Sequence, residues 1–170
     1  MWVTLDQGGL ARFDTATGRF EHFQHDPYDP DSVASDQLRA IMEDANGDLW
    51  IGAFPSGLSY LNQSKQIFRT YPARFEDPTS LSNNAVTSLY EDDQGIVWVG
   101  TEGGLNAFDP ERGTFQQFRA EPQNPHGLLA DAILAIKEDS SGELWVGTWA
   151  GGLHRLDRAS GKFTRYLPET

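Results

Sequence analysis

The sequence contains no cysteine and few basic residues, and both shortages exclude functions. Without cysteine, the 170-residue chain can form neither disulfide bonds nor thiolate metal sites. Its 13 Lys and Arg residues are outnumbered by 25 Asp and Glu residues, which gives a formal net charge of −12 at pH 7. Nucleic acid and anionic lipid need a basic face on the protein. We therefore expect no nucleic-acid partner and no direct membrane contact.

Long apolar runs are missing as well. No segment approaches the roughly 20 apolar residues that span a bilayer, and the first residues lack the basic and apolar regions of a signal peptide. The chain is nevertheless 38% hydrophobic and 12% aromatic, which is too apolar for a disordered protein. The composition therefore predicts a folded, aromatic-rich domain.

The chain is built from repeats. The clearest copy reads EDDQGIVWVGTEGGL from Glu91 to Leu105, and further copies cover 2–10, 43–58 and 138–153. Successive anchoring tryptophans are 48, 48 and 47 residues apart, and they are Trp2, Trp50, Trp98 and Trp145. A fixed period of about 20 to 50 residues indicates a repeat architecture. One bulky side chain at the same position of every repeat is typical of packing between repeats, so we predict a structural role for these tryptophans rather than a sugar-stacking ring.

Each full period contains four short segments that have the composition of β-strands. They are five to seven residues long, rich in β-branched and aromatic residues, and separated by Gly, Asn, Asp or Pro. The first segments are 38–44, 86–92 and 133–139, and the second are 49–53, 97–101 and 144–148. Tight turns between them predict four-stranded antiparallel meanders, which stack radially into a β-propeller. A parallel β-helix is the less favoured alternative, because it would need a shorter repeat without hairpins.

The opening copy lacks its first segment. The predicted fold is therefore an all-β partial propeller of three full blades plus three strands of a fourth. The predicted domain is one propeller segment, 1–170, with repeats at approximately 2–24 (incomplete), 38–71, 86–118 and 133–166, joined by loops 25–37, 72–85 and 119–132. Propellers close with about four to eight blades. We favour a segment of a longer propeller over closure by self-association or a tight ring of four blades.

The repeat resembles the two-component regulator propeller repeat. The resemblance is carried by 80–84 (Ser-Leu-Ser-Asn-Asn), 86–92, 95–109, 115–118 and their equivalents, and the second repeat departs from it at 53–56. It implies a β-propeller from the extracytoplasmic, periplasmic sensor region of a bacterial signalling receptor. The outputs of such receptors are histidine kinases, including hybrid forms, or diguanylate cyclases, and several are thought to sense breakdown products of polysaccharides. The implied function is a non-catalytic sensory, ligand-binding or interaction module. The implied partners are a carbohydrate or other small polar ligand, the remaining blades of a parent propeller, or other copies of the chain.

Catalytic and metal sites have weak support in the sequence. The Glu-Asp pairs at 43–44, 91–92 and 138–139 do not converge, because neighbouring side chains on a strand point to opposite faces. We predict that each aspartate caps the following turn. The segment 44–48 lacks a full calcium ligand set, and the four histidines are scattered: His22, His25, His126 and His154. We predict no catalytic residues, metal or cofactor. The alternatives are a propeller enzyme, lyase- or hydrolase-like, with a channel-facing histidine, or a purely structural self-assembling unit.

A candidate ligand face follows from strand direction. Because strands alternate in a meander, the hairpins between second and third strands should lie on the same face as the connectors between blades. Residues on that face that depart from the repeat are candidates for binding. The predicted ligand-binding residues are Phe54, Trp149, Phe75, Arg74, Asn83, Asn84, His126 and Tyr28. The alternative is that the rings of Phe54 and Trp149 only fill space between loops.

Overall fold

The computed structural model describes residues 1–167 and shows an all-β chain of fifteen strands in four antiparallel sheets. Blade 1 contains β1 (Trp2–Leu5), β2 (Gly9–Asp14) and β3 (Arg19–Phe23). Blade 2 contains β4 (Gln37–Glu43), β5 (Leu49–Phe54), β6 (Gly57–Asn62) and β7 (Ile67–Tyr71). Blade 3 contains β8 (Val86–Glu91), β9 (Val97–Thr101), β10 (Gly104–Asp109) and β11 (Thr114–Phe118). Blade 4 contains β12 (Ile133–Glu138), β13 (Leu144–Thr148), β14 (Gly152–Asp157) and β15 (Lys162–Tyr166).

The sheets confirm the predicted partial propeller. The strands of every sheet are paired in chain order, as a meander requires. The first sheet has three strands, because β1 corresponds to the second strand of the other blades: Trp2 pairs with Arg12 as Trp50 pairs with Tyr60. The last three residues of the predicted segment 1–170 lie outside the described residues. No helix among residues 1–167 is long and apolar enough to cross a membrane.

The turns after the first strands are held by the repeated aspartate. Oδ1 of Asp44 accepts the backbone N–H groups of Asn46 and Asp48, at 2.9 and 3.0 Å. The equivalent aspartates Asp92 and Asp139 accept the same pair of bonds. The predicted capping role is therefore confirmed. A glycine with positive φ follows at the same place in each turn, because the chain there is left-handed.

The hydrophobic core lies between blades rather than within them. At the junction of blades 2 and 3, Trp50 and Leu58 of one blade pack against Val99, Phe108 and Phe115 of the next. We call the Trp-bearing side of each blade its trailing face and the opposite side its leading face. The junctions of blades 1 and 2 and of blades 3 and 4 pair the same two faces. A blade therefore buries both of its faces only when it stands between two others.

The connectors lie against the outer edges of the blades. The connector between blades 2 and 3 bonds to the outermost strand of blade 3 through the N–H of Phe115, which donates to the carbonyl of Thr79 at 2.7 Å. The connector before blade 4 makes the same bond from Phe163 to His126, also at 2.7 Å. The four blades form a curved array, and the first strands β4, β8 and β12 lie next to one another on its inner side. This arrangement gives the molecule an inner, channel-facing side and two ends formed by loops.

Candidate functional site

The hairpins and connectors share one face, as predicted. The N–H of Gly9 donates to the carbonyl of Asp36 at 3.0 Å, so the hairpin of blade 1 meets the connector that follows that blade. In blade 4 the N–H of Trp149 donates to the carbonyl of Ala132 at 2.8 Å, which joins the hairpin to the preceding connector. We call this the connector face. All eight of the predicted ligand-binding residues belong to the hairpins or to the connectors that meet at this face.

An open groove of about 740 Å³ lies on the connector face beside blades 2 and 3. The connector 72–85 forms one wall, and Gln117 and Arg119 at the end of blade 3 form the other. Four of the eight predicted ligand-binding residues line it: Arg74, Phe75, Asn83 and Asn84. The groove thus brings half of the predicted ligand-binding residues together.

Hydrogen bonds to the backbone fix the shape of the groove. The Arg119 guanidinium donates to the carbonyl of Ser82 at 3.1 Å and to the side chain of Gln117 at 3.1 Å. Oδ1 of Asn84 accepts the N–H of Ala73 at 2.6 Å, and Oδ1 of Asn83 accepts the N–H of Ala85 at 2.7 Å. Both asparagines therefore use one polar atom to hold the connector. This leaves their amide nitrogens as the groups that could contact a ligand.

The bond made by Asn84 is a repeated structural device that sequence reasoning missed. Asp36 and Asp131 occupy the same position in the other connectors, and each accepts a backbone N–H from a residue eleven positions earlier. The sequence signal is an Asp or Asn close before each first strand. Asn84 and Asp131 stand two residues before β8 and β12, and Asp36 stands one residue before β4. A residue that recurs in every connector is a poor candidate for a unique ligand contact.

The mouth of the groove is exposed and carries both signs of charge. The Phe75 side chain is 97% exposed, and the nearest carboxylate to Arg74 is that of Asp77, 4.0 Å away. A hydrogen bond from the Thr79 hydroxyl, and another from its backbone N–H, lower the pKa of Asp77. Asp77 is therefore ionised at neutral pH. The groove offers an aromatic ring, amide groups and charges of opposite sign within one open surface.

The other four predicted residues lie outside the groove. Phe54 is half-buried, and the Arg39 guanidinium lies 3.9 Å from the centre of its ring. Trp149 is 69% exposed at the tip of the hairpin of blade 4, and Tyr28 is 94% exposed on the first connector. His126 uses its carbonyl to bind blade 4. The eight predicted residues therefore do not form a single site, and one face of the Phe54 ring is covered by a cation.

The histidines do not form a channel-facing group. Among residues 1–167 the inner strands β4, β8 and β12 carry no histidine. His154 lies on β14 and is fully buried within blade 4, where its Nε2 accepts the N–H of Leu129 at 3.3 Å. Burial lowers the pKa of His154, and the positive charge of Arg165 lowers it further. Residues 1–167 also contain no group of three His, Asp or Glu side chains that could hold a metal ion.

The family assignment rests on the repeats themselves. The model of the two component regulator propeller family matches residues 32–54, 80–103 and 127–150. These repeats belong to the two-component regulator propeller family. Each matched stretch runs from the end of a connector through the first two strands of a blade. The matched stretches therefore contain the structural features described above: the aspartate caps, the anchoring tryptophans and the hairpins of the two-component regulator propeller repeat.

Solved structures share the fold. The extracellular domain of the hybrid two-component system BT3049 from B. thetaiotaomicron is 24% identical with a TM-score of 0.82, over 98% of this chain and 23% of that one. Virginiamycin B lyase from Staphylococcus aureus is 16% identical with a TM-score of 0.70, and the match covers 99% of this chain and 52% of the lyase. An auxiliary nutrient binding protein from Bacteroides ovatus is 10% identical with a TM-score of 0.61, and the match covers 99% of this chain and 39% of that protein. The chain thus spans between about a quarter and a half of the length of these structures, and the similarity establishes the propeller fold. No curated protein matches the sequence significantly.

Proposed function

We propose that the chain is a non-catalytic sensory module, a segment of the extracytoplasmic propeller of a bacterial signal-transduction receptor. The observation that carries the proposal is the array of three two-component regulator propeller repeats. The fold shared with the extracellular domain of a hybrid two-component system supports it. The reading frame that contains the chain provides a first check. A membrane-spanning segment and a kinase or cyclase domain in that frame agree with a sensor, whereas a free-standing secreted propeller contradicts it.

The proposed ligand is a small, neutral, polar molecule, with a sugar as the leading class, and its proposed site is the groove on the connector face. The exposed Phe75 ring offers a flat apolar surface to the C–H face of a pyranose, and Arg74 and the amide group of Asn83 offer hydrogen bonds to hydroxyls. An anionic ligand is disfavoured by the net charge of −12 and by Glu76 and Asp77 at the groove.

Catalysis has no support in the arrangement of side chains. Within residues 1–167 the four histidines are dispersed over β3, β14 and two connectors, and a hydrolase or lyase needs its acid, base and ligand-orienting groups to converge. The fold shared with virginiamycin B lyase carries no argument for lyase activity, because fold alone does not define function.

Binding of neutral oligosaccharides tests the site. Titration calorimetry of the chain with a panel of cello-, xylo-, manno- and malto-oligosaccharides should identify a binder, and chromatography should recover that sugar unchanged. Arg74→Ala with Phe75→Ala should abolish binding without altering the thermal midpoint, because both side chains are exposed. Tyr28→Ala, an exposed aromatic on another connector, is the matched control and should bind as the wild type does.

Two further variants set the scale of the experiment. Trp98→Ala removes a buried ring and should cost about 3–5 kcal/mol of unfolding free energy. This loss is the reference for the effect of substituting a residue whose role is packing. Loss of binding on Phe54→Ala with Trp149→Ala, with the groove variant unaffected, would place the site at the hairpins and contradict the groove. Failure of the wild type to bind any member of the panel would contradict the ligand class, and chemical conversion of the sugar would contradict a non-catalytic module.

A further inference from the structure

A cationic head group lies between blades 3 and 4. Arg158 follows the end of β14, and its side chain is 17% exposed. Its Nη1 lies 3.3 Å from Oδ2 of Asp92 in blade 3 and 3.4 Å from the exposed Asp93, and its Nη2 donates to Oε1 of Glu138 in blade 4. The side chains of Asp92 and Glu138 are 0% and 6% exposed. Two buried acids from consecutive blades thus enclose one guanidinium group.

Blades 2 and 3 present the same two acids to each other. Asp44 and Asp92 both follow a first strand, cap the next turn and accept the indole N–H of the tryptophan of their blade. Glu91 and Glu138 both end a first strand, and in each the Oε2 accepts a backbone N–H from the turn of the preceding blade. Oε1 of Glu91 therefore corresponds to the oxygen of Glu138 that binds Arg158.

The arginine itself is not repeated at the junction of blades 2 and 3. Pro110 takes its position, because Pro110 and Arg158 each directly follow the aspartate that ends a third strand. Within residues 1–167, no Lys, Arg or His side chain forms an ion pair with Asp44 or Glu91. This junction thus keeps the acids of the guanidinium site without a cation from the chain itself.

A cleft of about 240 Å³ lies beside these two acids, between blades 2 and 3. We call it the junction cleft. It is smaller than the pockets of roughly 300–1,000 Å³ that hold drug-sized ligands, so it suits a single head group on a short chain. Because strands alternate in direction, its turns lie at the opposite end of the blades from the connector face. Four aromatic side chains line it: Trp50, Tyr60, Tyr71 and Phe108.

The lining of the junction cleft favours a cation. A guanidinium group matches a carboxylate through parallel N–H···O bonds, and the faces of aromatic rings attract cations. The net charge of −12 favours the approach of a positive ligand. Arg69 on β7 is the basic residue of the lining and is exposed. It opposes a second cation only weakly, because water screens the charge of an exposed side chain.

We propose that the junction cleft binds an alkylguanidinium group, which Asp44 and Glu91 hold as Asp92 and Glu138 hold Arg158. The aromatic walls cover the alkyl chain of the ligand. A free guanidino compound and an arginine side chain of another protein share this chemistry. The site is separate from the groove on the connector face, so the inference goes beyond the proposed function.

Titration calorimetry with butylguanidinium tests the site, and butylurea is its neutral isostere. At constant ionic strength the 170-residue chain should bind butylguanidinium at one site and should not bind butylurea. Glu91→Gln should weaken binding about tenfold or more, as the loss of a hydrogen bond between charged groups does. The amide oxygen of this variant can still accept the N–H of Ala45. Glu43→Gln is the matched control, because it makes the same charge change at the end of β4 and outside the cleft.

Pro110→Arg supplies the internal counterpart of Arg158. Its guanidinium group should occupy the cleft, abolish binding of butylguanidinium and leave the thermal midpoint at least as high as in the wild type. Pro110→Gln is the matched control, because it removes the proline without adding a charge, and it should keep the site. Equal loss of binding in the two variants would mean that the proline, rather than the missing cation, matters, and would overturn the proposal.

The remaining outcomes separate the sources of the ligand from failure of the site. Binding of both butylguanidinium and an end-blocked Gly-Arg-Gly peptide supports an arginine side chain of a partner, whereas binding of butylguanidinium alone supports a free compound. The proposal is overturned if the chain binds neither probe, binds butylurea equally well, or binds butylguanidinium undiminished after Glu91→Gln or Pro110→Arg. Weaker binding after Arg69→Gln also overturns it, because a site for a cation does not need a positive charge.

Discussion

Single residues of the repeat serve two structural partners at once. Besides capping its turn, Asp92 accepts the indole N–H of Trp98 through its second oxygen at 2.7 Å, and Asp44 does the same for Trp50 at 2.9 Å. In blade 4 the indole N–H of Trp145 is the main cause of the lowered pKa of Asp139. The carboxylate thus connects the turn to the packed tryptophan of the next strand. This explains why an acidic residue and a tryptophan recur together six positions apart.

A buried position on the third strand varies in polarity from blade to blade. Ala11, Ser59, Asn106 and His154 occupy it in turn, and all are fully buried. The amide of Asn106 donates to Ser82 and to the carbonyl of Val99, whereas the ring of His154 accepts a bond from the connector at Leu129. Asn106 and His154 therefore attach their blades to the preceding connector, whereas the buried hydroxyl of Ser59 makes no hydrogen bond within residues 1–167.

We predict that His154 makes the chain less stable in mild acid. Its pKa is below 6.5 in the folded state, with burial as the main cause and Arg165 adding to it, so the unfolded chain binds the proton more readily. Stability is then fully present above pH ~6.5 and falls as the pH drops from there towards the folded-state pKa. Protonation of Nε2 would also remove the acceptor for the N–H of Leu129. Urea titrations at pH 7.5 and 5.0 measure the effect.

His154→Asn is the matched variant, because asparagine occupies the same position in blade 3. It should lose less stability than the wild type between pH 7.5 and 5.0. The aspartates with lowered pKa values titrate below 3.8 and do not contribute in this window. Equal pH dependence in the wild type and His154→Asn would contradict the assignment.

At the scale of elements, the repeated glutamate links one blade to the turn of the blade before it. Oε2 of Glu91, at the end of β8, accepts the N–H of Ala45 in blade 2 at 2.7 Å. Glu138, at the end of β12, accepts the N–H of Asp93 in blade 3 at 2.9 Å and also pairs with Arg158. In the pairs Glu91-Asp92 and Glu138-Asp139 the two acids thus act in different directions: the aspartate within its blade and the glutamate across the junction.

Glu91→Ala should loosen the first turn of blade 2 without altering blade 3. We expect a loss of about 1 kcal/mol of unfolding free energy, typical of one hydrogen bond, and faster hydrogen exchange at the Ala45 amide. Glu43→Ala is the matched control, because blade 1 has no first turn for Glu43 to contact within residues 1–167. A Glu43→Ala variant that is destabilised as much as Glu91→Ala would show that the cross-blade bond is not the cause.

At the scale of the whole molecule, the hydrophobic core is divided among the junctions between neighbouring blades. Each of the three clusters of buried apolar residues joins the trailing face of one blade to the leading face of the next. A substitution at a junction therefore loosens two blades at once, because both contribute side chains to the same cluster. For this reason we expect Trp98→Ala, at the junction of blades 3 and 4, to destabilise both of these blades.

The sequence by itself determined the number and type of the strands, their grouping into blades and the structural role of the tryptophans. Those features depend on local signals that repeat every 47 or 48 residues: alternating apolar residues, turn-forming Asp and Gly, and one tryptophan per blade. Each signal acts within a few residues of chain, so it can be read without knowing which blade lies next to which.

Only the tertiary structure decided which residues share a surface. It gathered Arg74 and Phe75 into a groove with Arg119, far away in sequence, and left Phe54 under the guanidinium of Arg39. It also placed the glutamates Glu91 and Glu138 against the blade before their own and left Tyr166 partly exposed. These contacts join residues from different blades or connectors. Their distances depend on how the blades stack, which no local pattern in the chain encodes.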